Sequence, residues 1–192
     1  IKTLDKLQLT NIPEIDDMFK YMQKECFNNK IRFKLKIEGN IYYLINNIIS
    51  KNKLETLIGD HIRDAINAVN NNNIKNREIF VILGIKENKY ELCIYDTGLE
   101  FEINTLLKLG LENVTTNADK GGKGIGFITT FETMKQAGAS LIIEEFDKNN
   151  NMPYTKAIRI RFDNKNEYKI CSYRANEIKS MDINKRIILE QV

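Results

Sequence analysis

The sequence has no long apolar run, little net charge and few cysteines. No stretch reaches the roughly 18 continuous apolar residues of a membrane span, and no signal-peptide pattern opens the chain. Lys plus Arg number 29 and Asp plus Glu 26, a formal charge of +3 with the signs mixed along the chain. That balance gives no support to nucleic-acid binding or to attraction by an anionic membrane surface. Three cysteines, Cys26, Cys93 and Cys171, lie far apart. An odd count without paired spacing excludes a disulfide framework and a zinc site, and buried reduced thiols in a cytosolic protein are expected. Internal repeats and low-complexity linkers are also missing.

What is present suits a folded domain. The 192 residues are 42% hydrophobic and 29% charged, enough to build a sizeable core. The first residue is Ile1, not Met, so further sequence is expected upstream. Asparagine clusters at 70–73 and 149–151 read as loops.

Apolar spacing gives the elements. Pro13 opens a helix to about residue 28, with Ile15, Met18, Phe19, Met22 and Cys26 recurring at helical spacing. Ile31 to Ile37 alternates and reads as a strand. Ile41 to Ile49 fits either strand or helix. A long helix from about Lys53 to Asn70 carries the stripe Leu54, Leu57, Ile58, Ile62, Ala65, Ile66 and Val69. Glu78–Ile85 and Tyr90–Tyr95 form a hairpin. Residues 99–120 read as loop, with a helical patch at Ile103–Leu109. A helix from about Gly126 to Gln136 stops before Gly138. Strands follow at Ser140–Phe146, Lys156–Phe162, Glu167–Tyr173 and Arg186–Leu189. This irregular mixture of hairpins and helices predicts an α+β fold, a two-layer sandwich of a mixed sheet on helices, not a doubly wound parallel sheet.

Three segments carry chemistry. Asp96-Thr97-Gly98 closes a buried strand. Its carboxylate suits an exocyclic amine such as the N6 amine of adenine, although Asp-x-Gly alone also fits a simple turn. Gly121-Gly122-Lys123-Gly124-Ile125-Gly126 runs directly into a helical pattern. Bare amides and a positive helix end make an anion cradle, with Lys123 as a phosphate-seeking cation; a flexible hinge is the plainer reading. The run is neither a P-loop, since Gly124 follows Lys123, nor a dinucleotide fingerprint, since Phe127 stands at its third glycine. On the long helix, Asp60, Asp64, Asn67 and Asn71 share one face. Such oxygens suit Mg²⁺ shared with phosphates, or else a solvated helix face.

The order of these segments resembles the GHKL ATPase superfamily, with its N box, G1 box and G2 box, over roughly residues 13–163. Within it the chain is most similar to catalytic domains of sensor histidine kinases of the quorum-sensing, peptide-responsive class. The resemblance implies a GHKL-type domain over 1–163 and a C-terminal extension over 164–192, with added strands on the same domain. It implies ATP and Mg²⁺ as ligands. Asp96 and Gly98 would read adenine; Gly122, Gly124, Ile125 and Gly126 would lie under the phosphates; Lys120 or Lys123 would contact phosphate; residues 99–120 would form a mobile lid. Asp64 falls where the family has its Mg²⁺-binding Asn, so the usual Asp-Asn-Ala is here Arg63-Asp64-Ala65. Asp60 falls on the other family Asn position, one turn earlier, and is the nearest candidate for a general base.

The resemblance further implies γ-phosphate transfer to a histidine on a dimerisation domain, then to a response regulator, in the cytoplasmic part of a membrane-anchored sensor. His61, the sole histidine, lies inside the N-box helix and is expected to be structural, so the phospho-accepting histidine lies outside this chain. Two alternatives stand beside this reading. One is a non-catalytic nucleotide-binding or scaffolding module; the other is an anti-sigma-factor-type Ser/Thr kinase of the same superfamily.

Overall fold

In a computed structural model, residues 4–109, 125–183, 185 and 187–192 are described. The elements in chain order are α1 (Pro13–Asn28), β1 (Arg32–Glu38), α2 (Ile41–Asn47), α3 (Lys51–Asn70), β2 (Glu78–Lys86), β3 (Lys89–Asp96), α4 (Ile103–Leu109), α5 (Ile125–Ala137), β4 (Ser140–Glu145), β5 (Lys156–Arg161), β6 (Tyr168–Ser172), α6 (Ala175–Met181) and β7 (Ile188–Gln191).

Local chemistry accounts for most boundaries. α1 starts with Pro13 in its first turn and buries Ile15, Phe19, Met22 and Cys26. Ser50 caps α3 by accepting from the Lys53 amide, and the whole expected stripe from Leu54 to Val69 is buried. Each of these side chains contributes roughly 1.5–3 kcal/mol by leaving water. The segment after β1, legible as strand or helix, is helical because the Asn40 side chain accepts from Tyr42 N and caps its first turn. The β2–β3 hairpin turns on Glu87 and Asn88, both with positive φ (49° and 63°), which matches the twist of a two-residue hairpin. Gly138, at φ 63°, follows the end of α5.

Seven strands form one mixed sheet in the order β1-β2-β3-β5-β4-β6-β7. β1/β2, β4/β6 and β6/β7 are parallel; β2/β3, β3/β5 and β4/β5 are antiparallel. Ile79, Val81, Leu83, Leu92, Leu141, Ile143 and Ile160 are almost fully buried and meet the apolar faces of α1, α3 and α5. The architecture is the expected two-layer α+β sandwich.

The C-terminal segment differs from expectation in one element. Only strands are predicted there, whereas α6 stands between β6 and β7 and buries Ala175 and Ile178. β6 and β7 extend the same sheet beyond β4.

Register also fixes which side chains face the helices at the end of β3. Asp96 on β3 pairs with Ile79 on β2 and with Lys156 on β5. Since Ile79 faces the helices, Asp96 and Lys156 face them as well, side by side.

Candidate functional site

Asp96 ends β3 with only 2% of its surface exposed. Its Oδ1 accepts from Gly98 N at 2.8 Å and from Lys156 Nζ at 2.7 Å. Among the described residues its Oδ2 accepts nothing. Burial raises the Asp96 carboxyl above the usual carboxylate range, and the opposing pull of the Lys156 ammonium does not cancel it.

The turn that carries Asp96 is bound on every side. Thr97 N donates to the Glu78 carbonyl, Asn72 Nδ2 to the Thr97 carbonyl, and Leu99 N to the Ala68 carbonyl of α3. Thr155 Oγ1 donates to the carbonyls of Asp96 and Gly98. Gly98 lies directly on α3: a Cβ there would sit 2.5 Å from the Ala68 carbonyl carbon and 2.6 Å from Ala68 Cβ. Glycine is required because the turn touches helix backbone, so the carboxylate is held at a fixed depth beside α3.

Lys156 is an inward lysine on a strand whose other inward positions are Ile158 and Ile160. Its Nζ also donates to the Leu99 carbonyl at 2.6 Å and lies 5.4 Å from the centre of the Phe101 ring. Neither Lys156, Phe101 nor Thr155 is among the sequence-predicted site residues. The available signal was Lys156 itself, a charge at an inward position of an otherwise apolar alternation.

α3 presents the two expected acidic residues. Asp60 is partly buried, with Arg63 Nη1 at 3.4 Å, and burial raises its carboxyl despite that arginine. Asp64 makes no hydrogen bond among the described residues. Burial first, then the neighbouring Asp60, push its carboxyl up to about 6 against the pull of Lys156 and Arg63. Two crowded carboxylates fit a hard divalent cation. Among the described residues no group of three or more acidic, His or Cys side chains could hold a metal.

His61 points away from these carboxylates into the α3–α5 contact. It is buried, its Nε2 lies 2.6 Å from Thr130 Oγ1, and its ring meets Phe127 edge-on at 5.2 Å. Burial lowers it to about 4, so it is neutral at pH 7.

Phe127, in the first turn of α5, also meets Phe101 at 6.3 Å. The contacts Asp96–Lys156–Phe101–Phe127 therefore run from the strand end to the start of α5. Ile125 and Gly126 are the first two residues of that helix. Lys120, Gly122, Lys123 and Gly124 lie outside the described residues. Of the expected lid, residues 99–109 are described and carry α4.

The extension reaches the same neighbourhood. Arg174 Nη2 donates to the Phe101 carbonyl at 2.7 Å and to the fully buried Glu145 at 2.6 Å. Tyr168 Oη donates to the Leu106 carbonyl at 3.0 Å, and Tyr173 Oη to Glu100.

No helix among the described residues is long and apolar enough to cross a membrane. The three cysteines are free, and burial pushes the thiols of Cys26 and Cys93 up to about 12.

Three comparisons bear on this geometry. No protein-family model matches the chain, and no curated protein matches it by sequence. Solved structures do match. A nucleotide-free catalytic domain of the histidine kinase ThkA aligns with a TM-score of 0.55 at 9% identity, over 82% of this chain and 95% of that one. The mycobacterial sensor histidine kinase MprB aligns with a TM-score of 0.51 at 16% identity, over 78% of this chain and 91% of that one. The fold is that of histidine-kinase catalytic domains.

Proposed function

We propose that this chain binds Mg·ATP in the cleft between α3 and the start of α5 and donates the γ-phosphate to a histidine on a dimerisation domain outside it. One observation carries the reading: Asp96, buried at the end of β3, accepts on Oδ1 alone among the described residues, while Gly98 seats its turn on α3. A carboxylate oxygen at the end of a buried strand suits an exocyclic amine, and the N6 amine of adenine supplies that donor. The histidine-kinase fold supports the same reading.

Asp64, with Asp60 one turn away, would hold Mg²⁺, which supplies neutralisation of the triphosphate charge. The helix start at Ile125 and Gly126 would face the phosphates with free amides, joined by Gly122, Gly124, Lys120 and Lys123. The protein's own contribution is positioning and charge stabilisation. Asp60 is the nearest general base, and hydrolysis by the domain alone would be slow. In this reading the intact protein is a membrane-anchored, peptide-responsive sensor, the domain lies in the cytoplasm, the partner after phosphorylation is a response regulator, and residues 164–192 extend the catalytic domain.

A fluorescent-ATP titration in Mg²⁺ tests the proposal. Saturable binding that is lost in Asp96→Asn supports it; no binding by the unaltered chain overturns it. Asp64 at the asparagine position favours a second reading, nucleotide held without phosphotransfer. Binding of ATP with no phosphohistidine formed in the full-length protein would support that reading instead.

A further inference from the structure

We infer that Lys156 reads the nucleotide base directly, its ammonium donating to N1 of adenine while Asp96 Oδ2 accepts from the N6 amine. The inference rests on the proposed binding of ATP and adds a specificity-determining residue that the sequence motifs do not contain.

The argument starts from what the two side chains leave unused. Each is 3% exposed, and they are paired at 2.7 Å. An ammonium has three donors. One goes to Asp96 Oδ1 and one to the Leu99 carbonyl at 2.6 Å. The third has no acceptor among the described residues; the Phe101 ring lies 5.4 Å from Nζ, and Asp64 is near enough to feel the ammonium's charge. Asp96 shows the complementary deficit. Among the described residues both bonds it accepts fall on Oδ1 and none on Oδ2. An unused donor and an unused acceptor thus lie together in one buried ion pair.

The edge that satisfies both must carry an acceptor and a donor on neighbouring positions. Adenine does so with N1 and the N6 amine. Guanine also offers such a pair in O6 and N1–H, but it adds a second donor, the N2 amine, beside the first. Among the described residues one Asp96 oxygen already accepts two bonds and only the other is open, so guanine would bury an amine hydrogen without a partner. A purely tethering lysine, which merely ties Asp96 to Leu99, would not discriminate between bases at N1. A charged donor aimed at N1 must do so, since removing its acceptor leaves a buried ammonium short of a partner.

The test is calorimetric titration of the unaltered chain, in Mg²⁺, with ATP, 1-deaza-ATP, 7-deaza-ATP and GTP. 1-deaza-ATP keeps the N6 amine and replaces N1 by C–H. It should bind about 10- to 100-fold more weakly than ATP, whereas 7-deaza-ATP, altered on another edge, should match ATP. In Lys156→Met, ATP should fall to the level of 1-deaza-ATP and the two should become indistinguishable. The nucleotide series on the unaltered chain decides the matter even if that variant does not fold. Tight ATP binding with equal affinity for 1-deaza-ATP, or with equal affinity for GTP, overturns the role of Lys156 and leaves the ATP proposal standing. Failure of every nucleotide to bind overturns both.

Discussion

Arg174, just past the end of β6, donates to the Phe101 carbonyl at 2.7 Å, so the C-terminal extension grips the segment that leaves the Asp96 turn. The same guanidinium neutralises Glu145, which is fully buried. Ser172 Oγ adds a neutral donor to that carboxylate. Arg174→Ala would leave a buried charge without a counterion, which costs about 3–5 kcal/mol. Arg174→Lys would keep the charge but lose the fork that reaches both acceptors. Urea unfolding should rank the unaltered chain, the lysine variant and the alanine variant in falling stability. An alanine variant as stable as the parent would refute the coupling.

Gly98 admits no side chain. Its missing Cβ is met by helix backbone at 2.5 Å, and α3 cannot yield as a flexible side-chain tip would. Gly98→Ala should cost roughly 1–3 kcal/mol by overpacking and weaken ATP by displacing Asp96. Thermal unfolding paired with nucleotide titration reads both effects. Unchanged values in each would show that the turn can leave the helix freely.

Glu78 gives a pH dependence away from the cleft. Burial works against its ionisation, but the Lys34 ammonium at 2.8 Å, the Tyr154 hydroxyl at 2.5 Å and the nearby Arg32 outweigh it and hold the carboxyl below its ordinary value. A lowered folded value means that its contribution is complete above the ordinary glutamate pKa of 4.5 and is lost as pH falls through the folded one. Glu78→Gln should therefore be less stable at pH 7, by roughly 1–3 kcal/mol, with the gap closing below pH 4.5. A gap that widens on acidification would contradict the sign.

Metal removal probes Asp64. Its carboxylate beside Asp60 should repel a triphosphate unless a cation intervenes. EDTA should thus weaken ATP strongly in the unaltered chain and less in Asp64→Asn. Calorimetry with and without the chelator compares them; equal ATP affinity in both conditions for the unaltered chain would end this account of Asp64.

Much of the fold was legible because helix and strand periods are written in near neighbours. Ile15, Phe19, Met22 and Cys26 announce α1, and the α3 stripe is continuous. α6 escaped notice because it buries only Ala175 and Ile178, too few positions to display a period. The segment after β1 stayed open until the Asn40 cap resolved it, since a short apolar run fits either element. Of the proposed site, motif order marks Asp60, Asp64, Asp96 and Gly98 as candidates, whereas it does not mark Lys156, which meets Asp96 across 60 positions of sequence.

By itself, then, the sequence determined most of the elements and the α+β class, because each depends on spacing within a few residues. Only the tertiary structure decided that Lys156 stands against the Asp96 carboxylate, that Phe101 lies between it and α5, and that Arg174 holds the same segment. Those contacts depend on strand register, which is set by packing the whole sheet against the helices and is carried by no local pattern.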